Sequence, residues 1–215
     1  MRSALTPLQQ KLATEFFARE SRFVLTGGAA LAGFVLGHRA THDLDLFTAD
    51  PILDDGESAL RQATQAVGGS IERIVTAPDV RRFLVKEGGA SVLVDLAQDR
   101  TPHSELAPAK FGAIIVAPAQ EILANKLCTL LSRSEPRDLV DVLALEKAGF
   151  KIEDAVALAA RKDAGFTPAQ LSWVLSQTTI GDDAEVPGGL TPAALRAFLQ
   201  ELQSRLGRLA WPGHG

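Results

Sequence analysis

Residues 25–47 read LTGGAALAGFVLGHRATHDLDLF. An apolar strand over 23–26 breaks at Gly27-Gly28, a short apolar helix follows over 29–36, Gly37 ends it, and a second strand runs over 43–47. That second strand carries Asp43 and Asp45, and charged groups rarely enter an apolar strand without a partner. Alternate side chains of a strand share a face, so the two acids point one way and Leu44 and Leu46 the other. At a rise of about 3.3 Å per residue the two Cα atoms lie about 6.7 Å apart. Carboxylates so placed can hold one divalent ion between them, or two ions about 3.5–4 Å apart. The glycine pair leaves backbone N–H groups available, and a helix start at Ala29 adds a positive dipole end, so the turn can cradle a phosphate. Arg39, in the loop before the acids, either pins that loop or binds phosphate.

Upstream, Thr6, Pro7 and the Leu8, Leu12, Phe16 spacing predict a helix over 6–20. Downstream, a helix is expected over 57–67, then strands near 71–76, 81–86 and 91–97, the last two joined by a hairpin turn at EGGA. Strands this close in sequence imply an antiparallel or mixed sheet. Asp95 stands alone in the apolar strand SVLVDLA and is the natural third carboxylate, able to hold a metal or take a proton from an attacking hydroxyl. A phosphate cradle beside metal-binding acids suits phosphoryl or nucleotidyl transfer. The plainer alternative is an edge strand with two solvated acids beside an ordinary glycine turn.

After Pro118 the pattern turns helical, over 119–132, 136–148, 152–162, 167–176 and 191–209, with a polar linker over 181–189. The expected organisation is an α/β (α+β) core over 1–117, a helical region over 118–210, and a frayed tail over 211–215. Lys126 falls inside an apolar helical arc, between Ile122 and Leu130, and must meet either a nucleotide phosphate or an acid such as Asp138. Asp138 sits between Val142 and Leu145 on its helical wheel, whereas Asp141 is expected to be exposed. Arg133 and Arg137 pair with these acids or face a triphosphate. Cys128, Phe166, Leu171 and Trp173 read as helix packing, and His38 and His42 as polar loop surface.

The whole chain has 215 residues, 46% hydrophobic and 22% charged, an ordinary globular composition. A single cysteine rules out an intramolecular disulfide, and no zinc-type cluster is present, so a reducing, cytoplasmic setting is expected. The N-terminus does not read as a signal peptide, and no apolar run approaches the roughly 20 residues of a membrane span. A formal charge of −4 argues against a basic, non-specific nucleic-acid binder.

Taken in order, LTGGAALAGFVLGHRATHDLDLF, VDLA and EILANKLCTLLSRSEPRDLVDVLAL resemble the AbiEii/AbiGii toxin family of nucleotidyltransferases, in the DNA polymerase β-like superfamily. The resemblance covers roughly residues 20 to 150 and is weaker beyond. It implies a mixed-sheet nucleotidyltransferase core and Mg²⁺-dependent transfer of NMP from an NTP to an acceptor hydroxyl, with two ions. It implies metal binding by Asp43, Asp45 and Asp95, a triphosphate cradle at Gly27 and Gly28 with Arg39 beside it, nucleotide contact and a catalytic part for Lys126, and support from Asp138. It further implies a toxin of a toxin–antitoxin or phage-defence system, with a tRNA 3′ end as one acceptor and a protein antitoxin as partner. The family's glycine turn is usually followed by Ser or Thr; here Ala29 stands there, which removes one hydrogen bond to phosphate. The rival readings are a non-catalytic module that keeps the fold and binds a nucleotide or partner, and an enzyme that nucleotidylates a small molecule.

Overall fold

The structure is a computed structural model that describes residues 4–211. These fall into two compact units, one running to Arg100 and including Leu106–Pro118, the other made of Thr101–Glu105 and the chain from Ala119 onward. The frayed tail expected after Trp211 lies outside the described residues.

The first unit opens with α1 (Pro7–Phe17), one residue inside the expected start. Thr6 accepts from the Gln9 N–H and Gln9 Oε1 accepts from the Thr6 N–H, a reciprocal cap that satisfies two otherwise unpaired donors. β1 (Val24–Thr26) leads into α2 (Gly27–Ala30), which widens into a π turn (Leu31–Val35) where the Leu36 N–H reaches back to the Leu31 carbonyl at 2.7 Å. The helix therefore starts at Gly27 rather than at Ala29. β2 (Asp43–Thr48), α3 (Leu53–Ala66), β3 (Ser70–Ala77), β4 (Val80–Glu87) and β5 (Ala90–Gln98) follow, then the short β6 (Ala109–Phe111) and β7 (Ile114–Val116).

The strands form one seven-stranded sheet in the order β3-β4-β5-β2-β1-β7-β6. It is mixed: β2 runs parallel to β5 and β1 parallel to β7, and the other neighbours are antiparallel. One face is the core. Leu44, Leu46, Phe83, Val85, Val94 and Leu96 are buried there by alternation along β2, β4 and β5. α3 lies close against it because Gly56 leaves room for Phe23 and Leu96; a Cβ at Gly56 would fall 2.5 Å from the Phe23 ring. That glycine explains why α3 begins four residues before the expected start at 57. What reads as a break is a close-approach residue inside the first turn, with Asp54 and Asp55 favoured there by the helix dipole.

β6 and β7 were absent from the sequence reading. Each is three residues long, too short to display an alternation, and Gly112 at φ +63° makes the turn between them.

The second unit holds α4 (Ala119–Ser132), α5 (Pro136–Lys147), α6 (Ile152–Lys162), α7 (Pro168–Ser176) and α8 (Pro192–Ala210). Phe166 and Leu171 are buried as expected, but Trp173 is 60% exposed and does not enter the packing. Among the described residues no helix is long and apolar enough to cross a membrane. Glu121 fastens Thr101–Glu105 to the helices: its carboxylate lies 2.6 Å from His103 Nδ1, accepts from the Ser104 N–H at 3.2 Å, and pairs with Lys162 at 3.1 Å. Burial raises the Glu121 pKa, but His103, Lys162 and the Ser104 N–H outweigh it and leave the group below its ordinary 4.5.

A carboxylate with a lowered folded-state pKa stabilises above its unfolded value and loses that contribution as pH falls through the folded value. Glu121→Gln is therefore expected to cost about 1–3 kcal/mol at pH 7. Its deficit should shrink as pH drops below about 4.5. Thermal unfolding of both proteins from pH 7 to pH 3 checks this, and a deficit constant with pH would refute it.

Candidate active site

The acids of β2 lie on the sheet face opposite α3. Asp43 and Asp45 are half-buried, alternating with Leu44 and Leu46, which are 0% and 1% exposed. Parallel pairing sets Asp45 beside Asp95 on β5, and antiparallel pairing sets Thr26 of β1 on the other side of Asp45. Paired residues share a face, so Asp43, Asp45 and Asp95 lie on one face of two adjacent strands.

Each neighbour has a definite part in holding this arrangement. Thr41 donates its hydroxyl to Asp43 Oδ1 at 2.8 Å. The Thr41 and Asp43 carbonyls accept from the buried Gln9 amide at 3.2 and 3.4 Å, so the capped start of α1 fixes the chain entering β2. Gly27 takes φ +63°, and a Cβ on it would lie 1.9 Å from Asp45 Oδ2. The carboxylate is seated against bare backbone, at a conformation that only glycine adopts without strain. A Cβ on Gly28 would lie 2.8 Å from Arg39 Nη2 and 3.2 Å from Thr41 Oγ1. Arg39, whose Nη1 donates to the Ala40 carbonyl at 2.9 Å, thus folds over the second glycine.

Two contributors were missed in the sequence. Arg82 of β4 faces Asp95 and makes a two-pronged contact, Nε to Oδ1 at 2.7 Å and Nη2 to Oδ2 at 2.6 Å. Hydrogen bonding to Asp95 raises the Arg82 pKa against some loss from burial, and the charges of Asp95, Asp45 and Asp43 add to the rise. The guanidinium therefore sits in the field of all three acids. The signal was present: counting back from the Gly88-Gly89 hairpin turn sets Arg82 opposite Asp95. Thr26 is the second. Its hydroxyl is buried without a hydrogen-bond partner among the described residues, although the residue caps α2. An unpaired buried hydroxyl costs about 1–3 kcal/mol. Ala29 is fully buried.

The residues fit a divalent cation and a phosphate. The donor set is carboxylate oxygen, which suits hard ions such as Mg²⁺. The missing Gly27 side chain lets the Asp45 carboxylate sit directly against the glycine turn, and Thr26 offers an unpartnered hydroxyl beside Asp45.

Lys126 and Asp138 belong to the second unit. Lys126 Nζ lies 2.8 Å from Asp138 and 2.7 Å from Asp141, and both acids are 0% exposed. Asp141 is therefore not the exposed helix-start acid expected from its position; it is half of a buried clamp between α4 and α5. Burial lowers the Lys126 pKa, but Asp141 and Asp138 together raise it above the ordinary value, so the lysine stays charged. Arg133 Nε approaches Asp138 at 3.3 Å, and Arg137 pairs with Glu135 at 2.7 Å. Cys128 lies half-buried, its Sγ 3.5 Å from the Ala159 carbonyl.

The first unit thus presents a strand–glycine turn–helix unit feeding a strand with two acids, with a third acid on the adjacent strand. Residues 11–213 match the family described as nucleotidyl transferase AbiEii toxin, type IV toxin–antitoxin system. The chain belongs to this family of nucleotidyltransferase toxins. Among solved structures it is similar in fold to JHP933 from Helicobacter pylori, with 22% identity over 95% of this chain and 96% of that one and a TM-score of 0.53. It is also similar to MenT4, a nucleotidyltransferase toxin from Mycobacterium tuberculosis, with 16% identity over 95% and 84% of the two chains and a TM-score of 0.56. None of the curated proteins compared with the chain matches it.

Gly27→Ala is expected to cost about 1–3 kcal/mol, from the positive φ and the displaced Asp45 carboxylate. Thr26→Val should behave in the opposite way, leaving stability unchanged or raising it by up to about 1 kcal/mol, because it removes an unpaired hydroxyl at constant shape. Chemical denaturation of the two variants beside the parent reads both signs; a clear loss in Thr26→Val would show that the hydroxyl has a partner.

Proposed function

We propose that this protein transfers a nucleoside monophosphate from an NTP to an acceptor hydroxyl, with Asp43, Asp45 and Asp95 holding two Mg²⁺ ions. The observation that carries the reading is the placement of three acids on one face of two adjacent strands, one of them seated against the Gly27 backbone. Bound Mg²⁺ would supply charge neutralisation at the triphosphate and acidify the attacking hydroxyl. The residues themselves do the rest. Gly27 and Gly28 bring backbone against the triphosphate, and Arg39 lies over that turn to balance its charge. Asp43 and Asp45, held by Thr41 and Gln9 on one side and Gly27 on the other, keep their orientation without reorganisation. Asp95 accepts the proton of the acceptor hydroxyl as its oxygen bonds to the α-phosphorus and the bond to pyrophosphate breaks.

Lys126 contacts the nucleotide in this reading. Asp138 and Asp141 keep it charged, as a cation toward phosphate must be. In this reading the acceptor is a tRNA 3′ end or another hydroxyl, and a protein antitoxin is the partner.

Titration of the protein with each NTP, with and without Mg²⁺, beside Asp43→Asn and Asp45→Asn, is the first test. NTP binding that requires Mg²⁺ and weakens at least tenfold in either variant is expected. Incubation with labelled NTPs and total tRNA should then transfer label to RNA. Mg²⁺-independent binding, equal in all three proteins, would replace the enzyme by a nucleotide-binding module of the same fold.

A further inference from the structure

Asp95 has both carboxylate oxygens engaged by Arg82, at 2.7 and 2.6 Å. A carboxylate in a two-pronged contact with arginine has its strongest acceptor directions occupied. It cannot at the same time give those directions to a cation or accept a proton from a hydroxyl. Asp43, by contrast, receives a single hydroxyl bond at Oδ1 from Thr41, which leaves its charge uncompensated by that contact. Arg82 is therefore a cation already placed at one corner of an acidic triad.

The neighbouring arginine shows that this is a matter of face and not of local composition. Arg81 points to the other side of β4, where it pairs with Glu57 at 3.0 Å and Asp54 at 2.6 Å on α3. That pair anchors a helix to the sheet. Arg82 anchors no helix. Its side chain is 46% exposed while that of Asp95 is 14% exposed, so the arginine can leave into solvent and the acid cannot.

We infer that Arg82 is a positioning residue that competes with the divalent cation for Asp95: it holds the third carboxylate in place and must release it before the metal site is complete. This deepens the proposed function and rests on its assignment of Asp43, Asp45 and Asp95 as cation ligands. Two consequences follow from elementary electrostatics. The clamp lowers the affinity of the triad for a bare cation, because binding must displace a charge of the same sign. Removing the guanidinium leaves three carboxylates with less opposing charge, so the cation binds more tightly rather than less. A merely structural residue predicts the reverse, since loosening the strand would weaken the site.

The test is a titration of the full chain with Mn²⁺ alone, the free ion followed by its electron paramagnetic resonance signal. The proteins compared are the parent, Arg82→Gln, Arg82→Lys, Arg81→Gln and Asp45→Asn, each checked for native circular dichroism. Arg82→Gln is expected to bind Mn²⁺ about two- to fivefold more tightly than the parent, the range for a partly exposed charge pair. Arg82→Lys, which keeps the charge without the fork, should fall between them and serves if the glutamine variant does not fold. Arg81→Gln should match the parent. Equal or weaker binding in both Arg82 variants, with Asp45→Asn still losing the ion, would overturn the inference while leaving the metal site standing. Mn²⁺ binding that is absent from every variant, or indifferent to Asp45→Asn, would overturn both.

Discussion

The seating of Asp45 against Gly27 is the contact on which the first unit's arrangement depends. Where a Cβ at Gly27 would stand, the Asp45 carboxylate already lies. The constraint acts on backbone and side chain together. It requires a positive φ at the end of β1, antiparallel pairing of β1 with β2 so that Thr26 meets Asp45, and a face of β2 turned away from the α3 side. The leucines between the acids then fall into the core by alternation, which supplies the burial that keeps the strand in register. A one-residue slip would drive Asp43 and Asp45 into that core, at the cost of desolvating both charges.

Charge pairing explains how a sheet can carry so many acids. Asp43 is met by the Thr41 hydroxyl and Asp95 by Arg82. The buried Thr26 hydroxyl, by contrast, has no hydrogen-bond partner among the described residues. It lies at the one place where strand, glycine turn and acid meet, and an unsatisfied group that persists at such a point is the expected trade of stability for a site.

The longer elements were legible because their periods are long: α4 and α6 occupy the ranges their patterns predict, and β2 to β5 fall within a residue or two of theirs. The acid face of β2 was legible because strand alternation is a strict rule. Less was legible where structure depends on partners distant in sequence. Gly56 reads as a break until Phe23 and Leu96 are seen beside it. Asp141 reads as a solvated acid because a helix wheel shows position on one helix, not that Lys126 arrives from another. Arg82 was recoverable from the hairpin turn, but only by fixing the register first. β6 and β7 carry too few residues for any period to show.

The two basic residues that clamp carboxylates differ in a way that their residue types do not reveal. Arg82, half-exposed, pairs with the largely buried Asp95; an ion pair with one exposed partner is worth about 0–1 kcal/mol, and water can solvate the guanidinium once it leaves. Lys126 pairs with Asp138 and Asp141, both fully buried, and its own side chain is 10% exposed. Breaking that clamp would strand two charges away from water, a cost of about 3–5 kcal/mol for a buried pair. The first contact is cheap to open and the second is not. The burial of the partner, more than the identity of the cation, decides which clamp is a movable part and which is framework.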